Sequence, residues 1–321
     1  MKTVIASIIV AAGVIACPIL YFLVGPQLND LQLETGLILL IIAASSALYC
    51  FVVGELTLNN SQMDKLWSLL PIAYVWVIAA KGGMHPRLII MAVLATLWGI
   101  RLTFNFGRKG AYTIKFWSGE EDYRWKYLRG TKYFKSRFVW ALFNLFFISI
   151  YQNGIVLLIT IPALASMTST ASLNWIDFLA AGLTLGALIL ETVADEQQWA
   201  FQSKKWGMIN GGKKLEELPE PYSKGFNTVG LWNHSRHPNY LGEQSFWICF
   251  YIFSIGAGVG IYNWSFIGAL LLVLLFVGSS TFGEAITGSK YPEYAEYKKK
   301  VSCFIPWVGY RKKERVEEGN H

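Results

Sequence analysis

Charged residues are scarce in this chain, making up 15% of its 321 residues, whereas hydrophobic residues make up 54%. Soluble domains usually carry roughly 25% charged residues. A soluble fold of this length could not bury so much apolar surface. The composition therefore excludes an ordinary soluble enzyme and predicts a polytopic helical membrane protein.

Cysteine and histidine are also few, with four of each. The cysteines (Cys17, Cys50, Cys249 and Cys303) are scattered, and none forms a Cys-x-x-Cys or a Cys/His pair with metal-site spacing. The pattern supports neither a disulfide framework nor a zinc site, so we expect no metal.

Internal repeats, low-complexity tracts and long linkers are missing as well. We therefore assign 1–321 to a single membrane domain, with N-terminal spans at 1–58, a core at 59–310 and a charged tail at 311–321. The net charge of +7 is interpreted as charge that sets the membrane orientation and faces anionic lipid. Basic motifs interleaved with aromatic residues are lacking, so we expect no nucleic-acid partner. The oligomeric state is left open.

Apolar runs predict about seven to eight transmembrane helices. The third and seventh are shorter than the ~20 residues that a helix needs to cross the hydrocarbon. The first lacks a clear small-residue cleavage site and is interpreted as an uncleaved helix. The eight candidate spans are 3–24, 36–54, 67–81, 87–106, 138–164, 174–194, 244–260 and 264–283.

Basic residues alternate with these spans. Segments 107–137, 195–243 and 284–321 hold 23 of the 28 Lys and Arg residues, whereas 25–35, 165–173 and 261–263 hold none. The positive-inside rule then places both termini and the three basic segments in the cytoplasm. Lys81 and Arg87, in one short loop, are exceptions to this pattern.

The densest polar segment is 230–243, which leads into an apolar run. Pro238 suits the first turn of a helix, because its missing N–H needs no partner there. That helix would present Asn239 and Glu243 on one face. Arg236 lies just before the helix start, where an anion such as a phosphate is favoured. The alternative is an interfacial cap whose basic side chains extend toward lipid headgroups.

Two more sets of polar residues lie at the ends of predicted spans. Glu191, Asp195, Trp199 and Gln202 follow helical spacing, although a solvated helix end would give the same pattern. Arg101 lies one turn inside its span, where it requires a carboxylate or phosphate partner. A structural ion pair with Glu191, Asp195 or Asp64 is the alternative. Arg101 shares its helix end with Trp98, Asn105 and Arg108.

Asp64 stands just before an apolar span, in an Asn/Ser/Asp cluster that also fits a helix N-cap. The aromatic and charged stretch 116–125 suits a lid on the membrane surface, or else an interfacial aromatic belt. Residues 291–300 indicate an amphipathic interfacial helix. Glu284 and Lys290 could complete a polar pocket beside it.

These motifs, in this order and spacing, resemble the DUF1295 branch of the steroid 5-alpha-reductase superfamily. The resemblance covers about 60–307. Its most specific pieces are Ser61-x-x-Asp64-x-x-Trp67-Ser68-x-x-Pro71, Leu97-Trp98-Gly99-Ile100-Arg101-Leu102-Thr103-x-Asn105, Gly119-Glu120-Glu121-Asp122-Tyr123-Arg124-Trp125, Ser235-Arg236-His237-Pro238-Asn239-Tyr240-x-Gly242-Glu243 and Phe304-Ile305-Pro306-Trp307.

The resemblance implies an all-α transmembrane bundle with a polar cofactor pocket on its cytoplasmic side. It also implies NADPH-dependent reduction of an activated carbon–carbon double bond in a lipid-like substrate. Asp64 falls where the steroid reductases carry a glutamate that hydrogen-bonds the substrate carbonyl, and Trp98 falls at their second carbonyl donor. The resemblance implies cofactor contacts for Arg101, Arg108, Asp195, Asn239 and Glu243. The full expected cofactor-binding set adds Asn105, Arg236, His237, Tyr240 and Lys290.

Two departures keep alternatives open. Trp98 replaces the tyrosine of the steroid reductases, and an indole N–H can donate a hydrogen bond but cannot relay a proton. Arg236-His237-Pro238 is shared with isoprenylcysteine carboxyl methyltransferases, which use S-adenosylmethionine. Those enzymes usually have a Glu-Glu pair where this chain has Gly283-Glu284. A lipid-binding or sensor protein on the same bundle is the third reading.

Overall fold

The structure is a computed structural model that describes residues 16, 19–20, 22–25 and 27–306. Most of the predicted first span 3–24, Trp307 and the tail 311–321 lie outside the described residues. Within them every regular element is a helix, and the one β-bridge joins Ser235 and Ser302. The predicted all-α class is confirmed.

The helices, in chain order, are α1 (Asp30–Thr57), α2 (Gln62–Leu66), α3 (Leu69–Lys81), α4 (Pro86–Gly107), α5 (Tyr123–Arg129), α6 (Arg137–Phe143), α7 (Gln152–Leu158), α8 (Ile161–Ser166), α9 (Trp175–Asn210), α10 (Pro238–Gly256), α11 (Ile267–Lys290) and α12 (Tyr294–Lys300). A π-helical segment, Asn144–Tyr151, connects α6 to α7. Short 3-10 turns lie in the remaining segments.

Five helices in the described part of the chain are long and apolar enough to cross a membrane. They are Asp30–Thr57, Pro86–Gly107, Arg137–Ser166, Trp175–Asn210 and Trp264–Lys290. The predicted third span is the 13-residue helix α3, which is shorter than these five. The predicted seventh span is α10, which begins six residues earlier than expected, at Pro238.

Local sequence signals explain several helix starts. Asn29 caps α1 in a capping box, because its side chain accepts from the Gln32 backbone while Gln32 returns a bond to the Asn29 backbone. Pro86 and Pro238 occupy first-turn positions of α4 and α10, where a missing N–H costs nothing. Ser61 precedes α2, but its hydroxyl makes no capping bond.

The chain divides into two compact units. The first comprises Met1–Gly186 and Gln244–Leu275, and the second comprises Ala187–Glu243 and Phe276–His321. In the first unit α3 and α4 form an antiparallel pair. They approach closely at Gly99, where an added Cβ would lie against the Ser68 carbonyl. In the second unit Gly242 lies against the backbone of Glu191, so the start of α10 contacts α9 without an intervening side chain.

Candidate functional site

The Asp64 carboxyl, in the first unit, is surrounded by hydrogen-bonding and charged side chains. Its Oδ2 accepts a 2.9 Å hydrogen bond from the indole Nε1 of Trp125, and the Ser61 side chain bonds the same carboxyl. Burial raises the pKa of Asp64, and the neighbouring Asp122 raises it further, against the opposing effect of Arg124. The environment thus favours the protonated carboxyl, which can donate a hydrogen bond.

A covering segment, residues 116–129, is fastened over this carboxyl by polar contacts. The buried Lys65 ammonium donates to the Phe116 and Ser118 carbonyls, at 2.8 and 2.6 Å. Gln62 Nε2 donates to the Trp117 carbonyl at 2.9 Å, and the Asp122 backbone N–H donates to Ser61 Oγ at 2.9 Å. The predicted lid is therefore a segment tied to α2.

Trp98 is fully buried in an aromatic cluster of the first unit. Its ring stacks on Phe246 and meets Trp247 edge-on, with ring centroids 5.9 and 5.0 Å away. Neither indole N–H of this Trp pair has a hydrogen-bond partner among the described residues. A buried donor without an acceptor costs about 1–3 kcal/mol.

The cationic residues at the end of α4 lie on one helix face. Arg101, Asn105 and Arg108 are spaced by four and three residues, which places them along one side. The buried Asn105 orients Arg108, because its Oδ1 accepts from Arg108 Nε at 3.0 Å and from Nη2 at 2.7 Å. This fixed guanidinium suits a phosphate oxygen.

The second unit brings together two of the predicted cofactor residues, Asp195 and Asn239. Asn239 Nδ2 donates to Asp195 Oδ1 at 3.1 Å. The other amide atom, Asn239 Oδ1, is buried without a partner among the described residues, as is Gln198 Oε1. Two buried acceptors that lack donors fit a ligand with amide or hydroxyl groups, such as a nicotinamide carboxamide or a ribose. Glu243 is buried one turn along from Asn239.

Glu284 is the centre of a salt-bridge hub that contains Arg236, His237 and Lys298. Arg236 Nε and His237 Nε2 lie 2.6 and 3.0 Å from its Oε1, and Lys298 Nζ lies 2.8 Å from its Oε2. Arg236 also donates to the Val301 carbonyl at 2.5 Å. The Arg-His-Pro segment is thereby fixed to α11 and to the end of α12.

The same hub contains a group with metal-ligand spacing. His237, Glu284 and Cys303 offer ligand atoms within 4.8 Å of one another. The Arg236 guanidinium and the Lys298 ammonium already neutralise the carboxylate. A cation would have to displace two positive charges, so this arrangement favours a salt-bridge hub over a metal centre.

Two predicted cofactor residues remain, Tyr240 and Lys290. Tyr240 stacks on His237 at 5.3 Å and contacts Phe276 at 4.5 Å, between ring centroids. Lys290, the last residue of α11, is exposed.

Sequence reasoning missed three side chains that these sites use: Trp125, Lys65 and Gln198. Trp125 belongs to a specific motif, but its partner Asp64 is 61 residues away in the chain. Lys65 reads as a surface charge, yet it is fully buried. For Gln198, only its position one turn beyond Asp195 on the same helix could have drawn attention to it.

The comparisons agree with these motifs. The model of the family described as "Protein of unknown function (DUF1295)" matches residues 50–301. An uncharacterized protein of Schizosaccharomyces pombe is 35% identical over 280 residues, which cover 81% of this chain and 78% of that protein. The solved structures provide no significant match. The chain belongs to the DUF1295 family.

Proposed function

We propose that the protein is a membrane-embedded, NADPH-dependent reductase of an activated carbon–carbon double bond. Its substrate would be lipid-like, such as a sterol, a polyprenoid or another enone. The observation that carries this proposal is the half-buried Asp64, whose carboxyl accepts from the Trp125 indole and whose surroundings favour its protonated, hydrogen-bond-donating form. A neutral acid of this kind can stabilise negative charge that develops on a carbonyl oxygen.

Each residue has a defined task in this proposal. Asp64 donates a hydrogen bond to the substrate carbonyl oxygen, and the partnerless indole N–H of Trp98 provides a second donor. NADPH, when bound, supplies the hydride that adds to the β-carbon of the substrate. Water would supply the proton that completes the reduction at the α-carbon, so that hydride and proton together add across the double bond.

We assign cofactor contacts to polar residues within each unit separately. Arg101 and the Asn105-oriented Arg108 bind phosphates. Asn239 Oδ1 and Gln198 Oε1 accept from the carboxamide or ribose, while Asp195 and Glu243 accept from further hydroxyls. The hub around Glu284 holds Arg236 and His237 in place. Tyr240 and Lys290 complete the proposed binding set.

The membrane arrangement is part of the proposal. The chain would cross the membrane several times, with its basic segments and both termini on the cytoplasmic side, where NADPH is available. Membrane lipids would surround the apolar helices and deliver the hydrophobic substrate from within the bilayer.

Ligand protection of the purified protein tests this function. A ligand at a hundred times its Kd stabilises the folded state by about 2.7 kcal/mol, so NADPH should raise the Tm clearly. The control variant Glu296→Gln, which alters an exposed ion pair, should respond as the wild type does. Protection by S-adenosylmethionine instead of NADPH would identify a methyltransferase. Protection by neither would favour the lipid-binding reading.

A further inference from the structure

Asp64 has two carboxyl oxygens, and the structure shows Trp125 bonded to one of them. Trp125 Nε1 lies 2.9 Å from Oδ2. An indole N–H can only donate, so Oδ2 must act as an acceptor whatever the protonation state of the carboxyl. The Ser61 hydroxyl also bonds the carboxyl, but a hydroxyl can donate or accept and does not decide where a proton sits.

Trp125 is itself held firmly. It is 5% exposed, its ring lies 6.4 Å from that of Phe143, and the Arg124 guanidinium lies 5.9 Å from its ring centroid. The hydrogen bonds of the covering segment to α2 fix the backbone on the N-terminal side of Trp125. The indole is therefore a preorganised donor aimed at one oxygen.

We propose that Trp125 is a positioning residue that confines the acid proton of Asp64 to Oδ1. Oδ1 is then the oxygen that donates to a ligand, and the ligand atom that it meets is a hydrogen-bond acceptor such as a carbonyl oxygen. This inference rests on the proposed function for its chemistry, but the hydrogen-bond arrangement can be tested without any cofactor or substrate.

Several groups with charge or titratable protons face Asp64 and enter any titration of it. They are Cys50 on α1, the adjacent Lys65, Tyr112, and Asp122 and Arg124 on the covering segment. Asp122 is the group most easily confused with Asp64 in a titration, because it is also a carboxyl and it raises the pKa of Asp64. The Trp125 signal reports Asp64 through a direct bond, and an Asp122→Asn background separates the two carboxyls.

The test follows the indole N–H signals of ¹⁵N-labelled protein by NMR as the pH is changed. Trp125 and Trp76 are assigned with Trp125→Phe and Trp76→Phe variants. We expect the Trp125 signal to shift through one titration step that vanishes in Asp64→Asn and survives in Asp122→Asn. Trp76, which donates to the Thr96 hydroxyl at 2.9 Å, is the control and should stay constant.

A Trp125 signal without a titration step, or one whose step survives in Asp64→Asn, overturns the inference. Once turnover can be measured, Asp64→Ala should lower kcat about a hundredfold or more, as loss of an oxyanion donor does. Trp125→Phe should lower kcat by a smaller factor, leave NADPH protection intact and shift the pH profile of kcat. An unchanged profile would also overturn it. Failure of NADPH to bind would reject the proposed function but leave the NMR result decisive.

Discussion

Arg87 and Asp177 form a bidentate ion pair in which both side chains are fully buried. Arg87 Nε lies 2.7 Å from Asp177 Oδ1, and Nη2 lies 2.9 Å from Oδ2. The same guanidinium donates to the carbonyls of Ala171, Ser172 and Gly256. Arg87 thus fastens the start of α4 to the start of α9 and is an internal structural charge.

Removal of Arg87 should be among the most destabilising single changes in the chain. Arg87→Ala leaves a buried carboxylate without its partner, which typically costs about 3–5 kcal/mol. The matched control is Lys81→Ala, because Lys81 pairs with Glu34 at 2.6 Å in an exposed position and should matter by about 0–1 kcal/mol. Thermal unfolding in detergent measures both, and equal losses would contradict the assignment.

Glu284 should be essential for the order of the Arg-His-Pro segment. Glu284→Gln removes the charge that neutralises Arg236 and Lys298, which we expect to cost about 3 kcal/mol and to weaken NADPH protection. Glu296→Gln removes an exposed partner of Lys299 and serves as the control. Hydrogen exchange of 235–243 should rise in the first variant alone. Unchanged exchange in Glu284→Gln would show that the hub does not hold the segment.

Gly242 should tolerate no side chain. A Cβ at this position would lie 2.6–2.8 Å from Glu191 Cβ and backbone atoms, so Gly242→Ala must push α10 away from α9. Asn239 and Glu243 would move with it, and the Asn239–Asp195 bond would break. The control is Gly186→Ala, where an added Cβ meets no described atom within 4 Å. We expect loss of NADPH protection only in Gly242→Ala, and equal binding by both variants would contradict this.

Asp122 provides a prediction on pH. Burial alone would raise the pKa of its carboxyl, but the ion pair with Arg124, at 2.8 Å, outweighs burial and lowers the pKa below its ordinary value. A lowered pKa in the folded state gives stabilisation that is complete above the ordinary pKa. That stabilisation is lost as the pH falls through the folded pKa.

Asp122→Asn keeps the side-chain oxygen that caps the Arg124 backbone N–H, but it removes the charge and the oxygen that accepts from Arg124 Nη2. The variant should therefore be less stable than the wild type at neutral pH, and the two should converge in acid. Thermal unfolding across a pH series measures this difference. A gap that stays constant with pH would show that the charge of Asp122 does not stabilise the fold.

Periodicity and helix signals were sufficient to predict α9 and α10, but they did not predict α2, which holds Asp64, or α5, which holds Trp125. Pro238 begins α10 as expected, and α9 extends through Asp195, Trp199 and Gln202, as their spacing required. The exceptions to the positive-charge pattern, Lys81 and Arg87, could not be explained in advance. Their partners, Glu34 and Asp177, are 47 and 90 residues away.

The site was only partly predictable for the same reason. Asp64 and Trp125 each belong to a specific motif, but neither motif indicates that the Trp125 indole donates a hydrogen bond to the Asp64 carboxyl. The fully buried Lys65 is another example, because its carbonyl partners belong to a segment about fifty residues away. Contacts of this kind join residues that are far apart in the chain, so local patterns in a single sequence do not identify them.

Transfer of a labelled hydride tests the central claim most directly. The purified protein is incubated with membrane lipid extract and NADPH deuterated at its transferable position, and the lipids are analysed by mass spectrometry. The account predicts a saturated product that carries one deuterium, formed by the wild type and strongly reduced in Asp64→Ala. Label that never enters a lipid, while S-adenosylmethionine transfers a labelled methyl group to one, would contradict it.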